Sequence, residues 1–122
     1  LNLTINEIKR LGLSTNKAKT IKELAHFYSA NKVIDLSKVN DEKLYESLHA
    51  IFGIGPWSVN MFEIFCIGKL NIFSSKDAGL RLAMNNSKMI KSDSGLDQYD
   101  EYAEKWSPYK TIACLHLWKT VD

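Results

Sequence analysis

The residues best placed to do chemistry are a glycine-containing hairpin, residues 52–58, and one carboxylate that follows it, Asp77. Gly53 and Gly55 flank Ile54, and glycines in that arrangement let the backbone turn tightly and leave its N–H groups exposed. Exposed N–H groups at the start of a helix form a binding site for a phosphate. A carboxylate one helix later can then act on the nucleotide that carries this phosphate. The pairing therefore indicates a DNA backbone as ligand and a reaction at Asp77.

Both features also have a purely structural interpretation. An Asp near a helix start commonly caps that helix, and a glycine-containing turn can simply join two packed helices. Against this, excision of a damaged base needs a group that stabilises positive charge on the deoxyribose or that aligns a water, and a carboxylate can do either. Ser58 is interpreted as a first-turn helix residue that contacts DNA rather than as a nucleophile, because no Ser-His-Asp pattern accompanies it. We therefore predict that Asp77 is catalytic, with the capping role still open.

Tryptophans near predicted helix ends are candidates for a base-stacking pocket. A base flipped out of the duplex needs flat partners, and a positively charged alkylated purine is attracted to electron-rich indole faces. Trp57 directly follows the hairpin and is the favoured pocket residue. Packing in the core is the alternative for each of these aromatic side chains.

The elements that must position these residues are predicted to be helices throughout, so the fold class is all-α. Residues 41–67 form a helix–hairpin–helix arrangement in which Pro56 suits the first turn of the second helix. That second helix is apolar nearly all round and is predicted to be the buried centre of the domain. The other predicted elements are a capped helix from Thr4 to Leu11, a helix capped by Ser14, a loop over 31–38, a helix capped by Asn40 or Asp41, a stop at Gly68, a helix over 76–85, a surface loop over 87–95, a helix from Asp97 or Asp100 to Trp106, and a last helix from Ser107-Pro108.

Length and composition fit one ordinary globular domain, residues 1–122. The chain is 45% hydrophobic and 25% charged, with a net charge of +2. This mildly basic balance permits nucleic-acid binding without arguing for it. No apolar run approaches the roughly 20 residues needed to span a bilayer, so no membrane partner is expected.

Cysteine and histidine usage predicts no catalytic or structural metal. Cys66 and Cys114 lie in apolar stretches and are predicted to be buried free thiols in a reducing, intracellular compartment. The absence of a CxxC pair argues against zinc and against an iron–sulfur cluster. The three histidines, His26, His49 and His116, are too dispersed to suggest a metal site.

Four motifs in order carry a resemblance that covers nearly the whole chain. They are the segments 12–18, 52–58 and 77–81, and the last two helices over 102–110 and 115–118. With these residues the chain resembles the helix–hairpin–helix DNA glycosylases, and among them the bacterial 3-methyladenine DNA glycosylase II group. The resemblance implies excision of alkylated purines such as 3-methyladenine from double-stranded DNA in base-excision repair, in the cytoplasm or nucleoid, or in the nucleus.

The resemblance also assigns roles to residues. It implies that Asp77 is the catalytic acid, and that Trp57 and Trp118 line the base pocket together with Met61, which stands where an aromatic residue can occur. It implies that the hairpin grips the DNA backbone, and that a structural Na⁺ or K⁺ is held by backbone carbonyls near three residues, His49, Ile51 and Ile54. No other cofactor is implied. Relatives that also cleave the strand have a Schiff-base Lys at the position of Trp57, so a monofunctional enzyme is expected here.

The resemblance further implies N-terminal helices that this chain does not include. Those helices carry the wedge residue and one wall of the pocket in the family's fold. Two alternatives follow from the residues themselves: a DNA-binding helix–hairpin–helix module without catalysis, and a helical interaction domain in which the hairpin is only a turn. The oligomeric state is not predicted, although a dimer would cover the apolar side left open.

Overall fold

The computed structural model describes residues 2–30 and 41–122. Over these residues the chain is helical and contains no strand, which confirms the predicted fold class. The α-helices are α1 Ile5–Arg10, α2 Thr15–Ala30, α3 Asp41–His49, α4 Pro56–Phe62, α5 Ala78–Asn86, α6 Leu96–Ala103 and α7 Lys110–Trp118. A π-helical turn, Glu63–Ile67, continues α4, and a 3₁₀ turn, Glu104–Trp106, continues α6.

The chain forms two compact units, Leu1–Val59 and Asn60–Asp122, and the boundary falls within α4. The first unit holds α1 to α3 and the hairpin, while the second holds the π-turn and α5 to α7. The prediction that residues 1–122 form a single domain stays a prediction.

In the first unit, two of the predicted helix caps, at Thr4 and Ser14, are confirmed. The Thr4 N–H donates to Glu7 Oε2 at 2.7 Å, and the Glu7 N–H donates to Thr4 Oγ1 at 3.2 Å. These bonds form a capping box. The Thr4 N–H, and then the Thr4 hydroxyl, lower the pKa of Glu7 by donating to its carboxylate. The Ser14 hydroxyl accepts the Lys17 N–H at 3.3 Å at the start of α2. The predicted loop over 31–38 and a cap at Asn40 lie outside the described residues.

The core of the second unit is built mainly where α5 packs against α7. Its fully or nearly buried members are Leu80, Ala83, Met84, Tyr99, Cys114 and Leu117. Because Tyr99 is 1% exposed, its hydroxyl needs a partner, and it donates to Asn85 Oδ1 at 2.7 Å. This packing sets the position of α5, at whose start Asp77 lies.

Thr111 on α7 holds the segment that follows the π-turn. Its hydroxyl donates to the Lys69 carbonyl at 2.7 Å and accepts the Ile72 N–H at 3.1 Å, while its own N–H donates to the Leu70 carbonyl at 2.9 Å. Thr111 is 4% exposed. One buried side chain therefore satisfies two backbone groups that are 39 and 42 residues away in sequence.

The prediction of a helix buried all round after the hairpin is wrong in two respects. The α-helix ends at Phe62, and in the π-turn that follows, Phe65 is 63% exposed and Cys66 is also exposed, so Cys66 is not a buried thiol. A charged residue, Glu63, is buried instead at 2% exposure. Its carboxylate is paired with Lys69, and a paired charge can be buried where an isolated one cannot. Gly68 ends this segment as predicted, with φ of 80°.

Three predicted helix starts also differ from the observed ones. The observed starts are Ala78, Leu96 and Lys110, where the sequence predicted residue 76, Asp97 or Asp100, and Ser107. The first difference arises because Asp77 caps α5 from outside the helix. The last arises because the Tyr109 N–H donates to the Trp106 carbonyl at 2.7 Å in a turn, which delays the helix.

Candidate active site

Asp77 lies at the N-cap of α5 with an extended backbone, φ −74° and ψ 116°. Its Oδ1 accepts the Leu80 N–H at 2.8 Å, and the residue is 8% exposed. The capping alternative raised from the sequence is therefore correct. Capping and catalysis are compatible, because the bond to the helix end also fixes the direction of the carboxylate.

A second donor reaches the same oxygen from α7. The Trp118 Nε1–H donates to Asp77 Oδ1 at 3.1 Å, across 41 residues of sequence. The structure thus brings together two of the site residues predicted separately, the carboxylate and one tryptophan. Their contact depends on the packing of α5 against α7.

Gly79 leaves the space in which these two side chains meet. A Cβ built at this position would lie 3.2 Å from Asp77 Oδ1 and 3.4 Å from Trp118 Cδ1. The first of these distances is tighter than ordinary van der Waals contact, so an alanine would press on the carboxylate. The sequence motif 77–81 contains this glycine, but sequence reasoning assigned it no role.

The loop before Asp77 is held by buried polar contacts that sequence reasoning missed. Ser75 is 7% exposed and its hydroxyl donates to Asp100 Oδ2 at 2.8 Å. The Ser75 carbonyl accepts Arg81 Nη1 at 2.6 Å, and the Asp77 N–H donates to the Ser74 carbonyl at 3.0 Å. These bonds connect the segment that precedes Asp77 to both α5 and α6.

The thiol of Cys114 lies in the core below the carboxylate. Burial, and then the negative charge of Asp77, raise the pKa of Cys114 to about 12. Its Sγ also makes a long contact of 3.5 Å with the Ile72 carbonyl. Cys114 is therefore a neutral packing residue at neutral pH and has no nucleophilic role.

Trp118 has an aromatic neighbour on its ring face. The Phe65 and Trp118 ring centroids lie 5.8 Å apart with an interplanar angle of 29°. Sequence reasoning placed Phe65 in a buried helix and gave it no role. The spacing of apolar residues gives no indication of the π-helical turn that places Phe65 on the surface.

The hairpin, in the first unit, requires glycine at position 53 but not at position 55. Gly53 has φ of 82°, and a Cβ there would lie 2.0 Å from Thr20 Oγ1, so only glycine fits. Gly55 has no such φ, and a Cβ there would meet no heavy atom within 4 Å. Of the backbone donors in the hairpin, Ile54 N–H donates to the Ile51 carbonyl at 3.1 Å, whereas those of Gly53 and Gly55 have no acceptor among residues 2–30 and 41–122.

The remaining predicted site residues lie on α4, at the end of α3 and in the segment between these helices. Trp57 is 44% exposed in the first unit, and Ser58 and Met61 are half-buried. Of the carbonyls predicted to bind a cation, that of Ile51 also accepts a turn hydrogen bond. Among the described residues, no cluster of three His, Cys, Asp or Glu side chains could hold a metal ion. No helix in this same part of the chain is long and apolar enough to cross a bilayer.

Comparison with known proteins defines the class. No protein-family profile matches the chain. The Alkylbase DNA glycosidase-like protein mag2 of Schizosaccharomyces pombe is 28% identical over 119 residues, covering 94% of this chain and 55% of that protein. A DNA-3-methyladenine glycosylase of Saccharomyces cerevisiae is 28% identical over 145 residues, covering 93% of this chain and 49% of the relative.

A solved structure agrees with these sequence relatives. The crystal structure of a DNA-3-methyladenine glycosidase from Bacillus halodurans matches with a TM-score of 0.68 and 28% identity, over 97% of this chain and 55% of that one. Fold and sequence together define a helix–hairpin–helix DNA glycosylase-like protein. The chain is similar in sequence and in fold to 3-methyladenine DNA glycosylases. It spans about half the length of the relatives it matches.

Proposed function

We propose that this chain is a monofunctional DNA glycosylase that hydrolyses the N-glycosidic bond of alkylated purines, such as 3-methyladenine, in double-stranded DNA. The observation that carries the proposal is the Asp77 carboxylate, held at Oδ1 by a helix N–H at 2.8 Å and by the Trp118 indole at 3.1 Å. A carboxylate oriented by fixed donors beside an aromatic ring is suited to a cationic base and a cationic sugar. Relatives at 28% identity bear glycosylase names, which supports the same chemistry.

The reaction assigns one role to each group. The bond between C1′ of the deoxyribose and the purine nitrogen breaks, and the alkylated purine, already positively charged, leaves as a neutral base. The electron-deficient sugar is stabilised by the negative charge of Asp77, and a water oxygen bonds to C1′ and loses a proton. The base must leave the duplex first, and Trp118 would supply a stacking surface for it in the second unit. Met61, in the same unit, and Trp57, in the first unit, are further candidates for contact with the base.

The product of this reaction is an abasic site in an intact strand. Strand cleavage through a Schiff base needs an amine at the reacting position, and the helix after the hairpin carries Trp57 there. An indole N–H cannot form that bond. The proposed enzyme would therefore depend on another activity to open the strand during base-excision repair.

The hairpin would hold the DNA backbone. The N–H groups of Gly53 and Gly55 have no acceptor in the described part of the chain, and open space lies at Gly55, so a phosphate can approach the backbone there. The neighbouring Ser58 hydroxyl would add a further donor. Backbone carbonyls of His49, Ile51 and Ile54 are hard oxygen ligands that suit Na⁺ or K⁺, and such an ion would add positive charge beside the phosphate.

Release of free base tests the catalytic part of the proposal. Methylated duplex DNA is incubated with the wild-type chain and with Asp77→Asn, whose amide oxygen can still accept both hydrogen bonds at Oδ1. We expect the wild type to release 3-methyladenine and the variant to release it about 10²-fold more slowly or worse. A wild type that binds DNA but releases no base would favour the module without catalysis.

Duplex binding at several salt concentrations tests the hairpin. Gly55→Ala adds a methyl group in open space, so it should keep the fold but obstruct the phosphate, and we expect a loss of about 10-fold in affinity and a salt dependence weaker by about one phosphate. Ser92→Ala, at an exposed position in the loop 87–95, is the matched control and should change neither quantity. Binding with no salt dependence would favour an interaction domain in which the hairpin is only a turn.

A further inference from the structure

Phe65 is a large aromatic side chain on the surface of the second unit, and its position is unusual. It is 63% exposed, although its ring stacks on Trp118 with centroids 5.8 Å apart. Exposing so much of a phenyl ring forgoes burial that would otherwise stabilise the fold. The contact with Trp118 is therefore the feature of this side chain that needs an explanation.

The turn that carries Phe65 is rigidly held. Glu63, at 2% exposure, accepts Lys69 Nζ at 2.9 Å on Oε1 and Asn60 Nδ2 at 3.0 Å on Oε2. The Lys69 N–H also donates to the Glu63 carbonyl at 3.0 Å, which closes the turn. Such π-helical turns are frequent at functional sites. These bonds fix the backbone that carries Phe65, and the position of this backbone sets the geometry of the stacking on Trp118.

The indole of Trp118 packs against the core of the second unit and is held by two further contacts. Phe65 covers one ring face, and the Nε1–H at the ring edge donates to Asp77 Oδ1 at 3.1 Å. Rotation of the indole about its side-chain torsions would break one of these contacts. Gly79 leaves no Cβ to push the ring away from the carboxylate. Phe65, Trp118 and Asp77 therefore form a continuous chain of contacts, called here the aromatic relay.

We propose that Phe65 is a positioning residue for the excision reaction: through Trp118 it holds the Asp77 carboxylate in its reactive orientation. This inference rests on the proposed function and deepens it. Phe65 then acts on the rate of bond cleavage through the orientation of its neighbours and contributes no reacting atom.

Hydrogen exchange of the indole N–H tests the relay without any enzymatic assay. The chain has three tryptophans, so its spectrum has three indole N–H signals, and that of Trp118 is identified by its loss in Trp118→Phe. We expect Phe65→Ala to speed exchange of this signal about 10-fold, because the indole is freed to leave Asp77. Leu82→Ala, which removes another exposed large side chain of this unit at 51% exposure, should leave it unchanged. Unchanged exchange in Phe65→Ala would overturn the proposal.

Single-turnover base release then tests the effect on the reaction. Misplacement of a reacting group by about 1 Å can cost about 10²-fold in rate, so we expect Phe65→Ala to slow the bond-breaking step 10- to 100-fold with little change in DNA affinity. Phe65→Tyr, which keeps the ring, should restore most of the rate. Because Phe65 acts through Trp118, adding Phe65→Ala to Trp118→Phe should cause no further loss.

The outcomes separate this inference from the function on which it rests. Multiplicative losses in the double variant, or a loss confined to DNA affinity, would overturn the positioning role while the glycosylase function stands. A wild-type chain that releases no base would refute the proposed function, and the exchange rates would still decide whether Phe65 holds the indole. Faster exchange, slower cleavage and non-additivity together would support the relay.

Discussion

Replacement of Asp77 by alanine and by asparagine should have clearly different effects on the free energy of unfolding. Alanine removes the acceptor for two donors, the Leu80 N–H and the Trp118 Nε1–H. Asparagine keeps an oxygen at the same place, and it is among the best N-cap residues. The comparison therefore separates the structural role of the side chain from its charge.

The expected magnitudes follow from those two bonds. Loss of an N-cap costs about 1 kcal/mol, and loss of the acceptor for a half-buried indole N–H costs about 1 to 2 kcal/mol more. We expect Asp77→Ala to lower the free energy of unfolding by about 2 to 3 kcal/mol. Asp77→Asn loses only the attraction between the negative charge and the helix N-terminus, about 0.3 to 1 kcal/mol.

Urea denaturation followed by circular dichroism measures both values. The midpoint should shift while the dependence on urea concentration stays constant, because the same surface is exposed on unfolding. Asp93→Ala is a suitable control, since Asp93 is exposed in the loop before α6. Equal losses for alanine and asparagine would refute the reasoning, because they would show that the charge rather than the hydrogen-bonded oxygen stabilises α5.

Three further predictions concern a buried threonine, the two cysteines and the two hairpin glycines. Thr111→Val keeps the shape of the side chain but leaves two backbone groups without their partner, so it should cost about 2 kcal/mol in urea denaturation; a change below 0.5 kcal/mol, an approximate limit, would contradict the anchoring role. A thiol reagent at pH 8 should modify Cys66 rapidly and Cys114 only after unfolding, because burial raises the pKa of Cys114 to about 12; two fast thiols would show that the core is open. Gly53→Ala should lower stability by about 2 kcal/mol or more, because φ there is 82°, and Gly55→Ala should not; equal thermal shifts would count against the difference between the two glycines.

Much of the fold was predictable because its signals are local. The capping box at Thr4 and the stop at Gly68 depend on residues within a few positions, and both are confirmed. Asp77 was singled out as an acid near a helix start, and its capping bond spans only three residues. Spacing of that kind is visible in a linear sequence because helices repeat every few residues.

The errors arose where contacts between particular side chains override the pattern of apolar spacing. Apolar spacing predicted a buried Phe65 and Cys66, yet both are exposed in the π-turn. The sequence analysis made no prediction for Glu63, which is buried and paired with Lys69, six residues later. A hydrophobicity pattern carries no information about such a pairing, since it scores each side chain without its partner.

By itself the sequence determined which residue types are available and which local elements carry them: an all-helical chain, a hairpin with two glycines, and an acid at the start of a helix. Only the tertiary structure decided that Asp77 and Trp118, 41 residues apart, share one hydrogen bond, and that Phe65 covers the indole. The physical reason is that a hydrogen bond and a ring stack require distances of a few ångströms. Those distances are set by the packing of α5 against α7 and by the geometry of the π-turn, which no local spacing specifies.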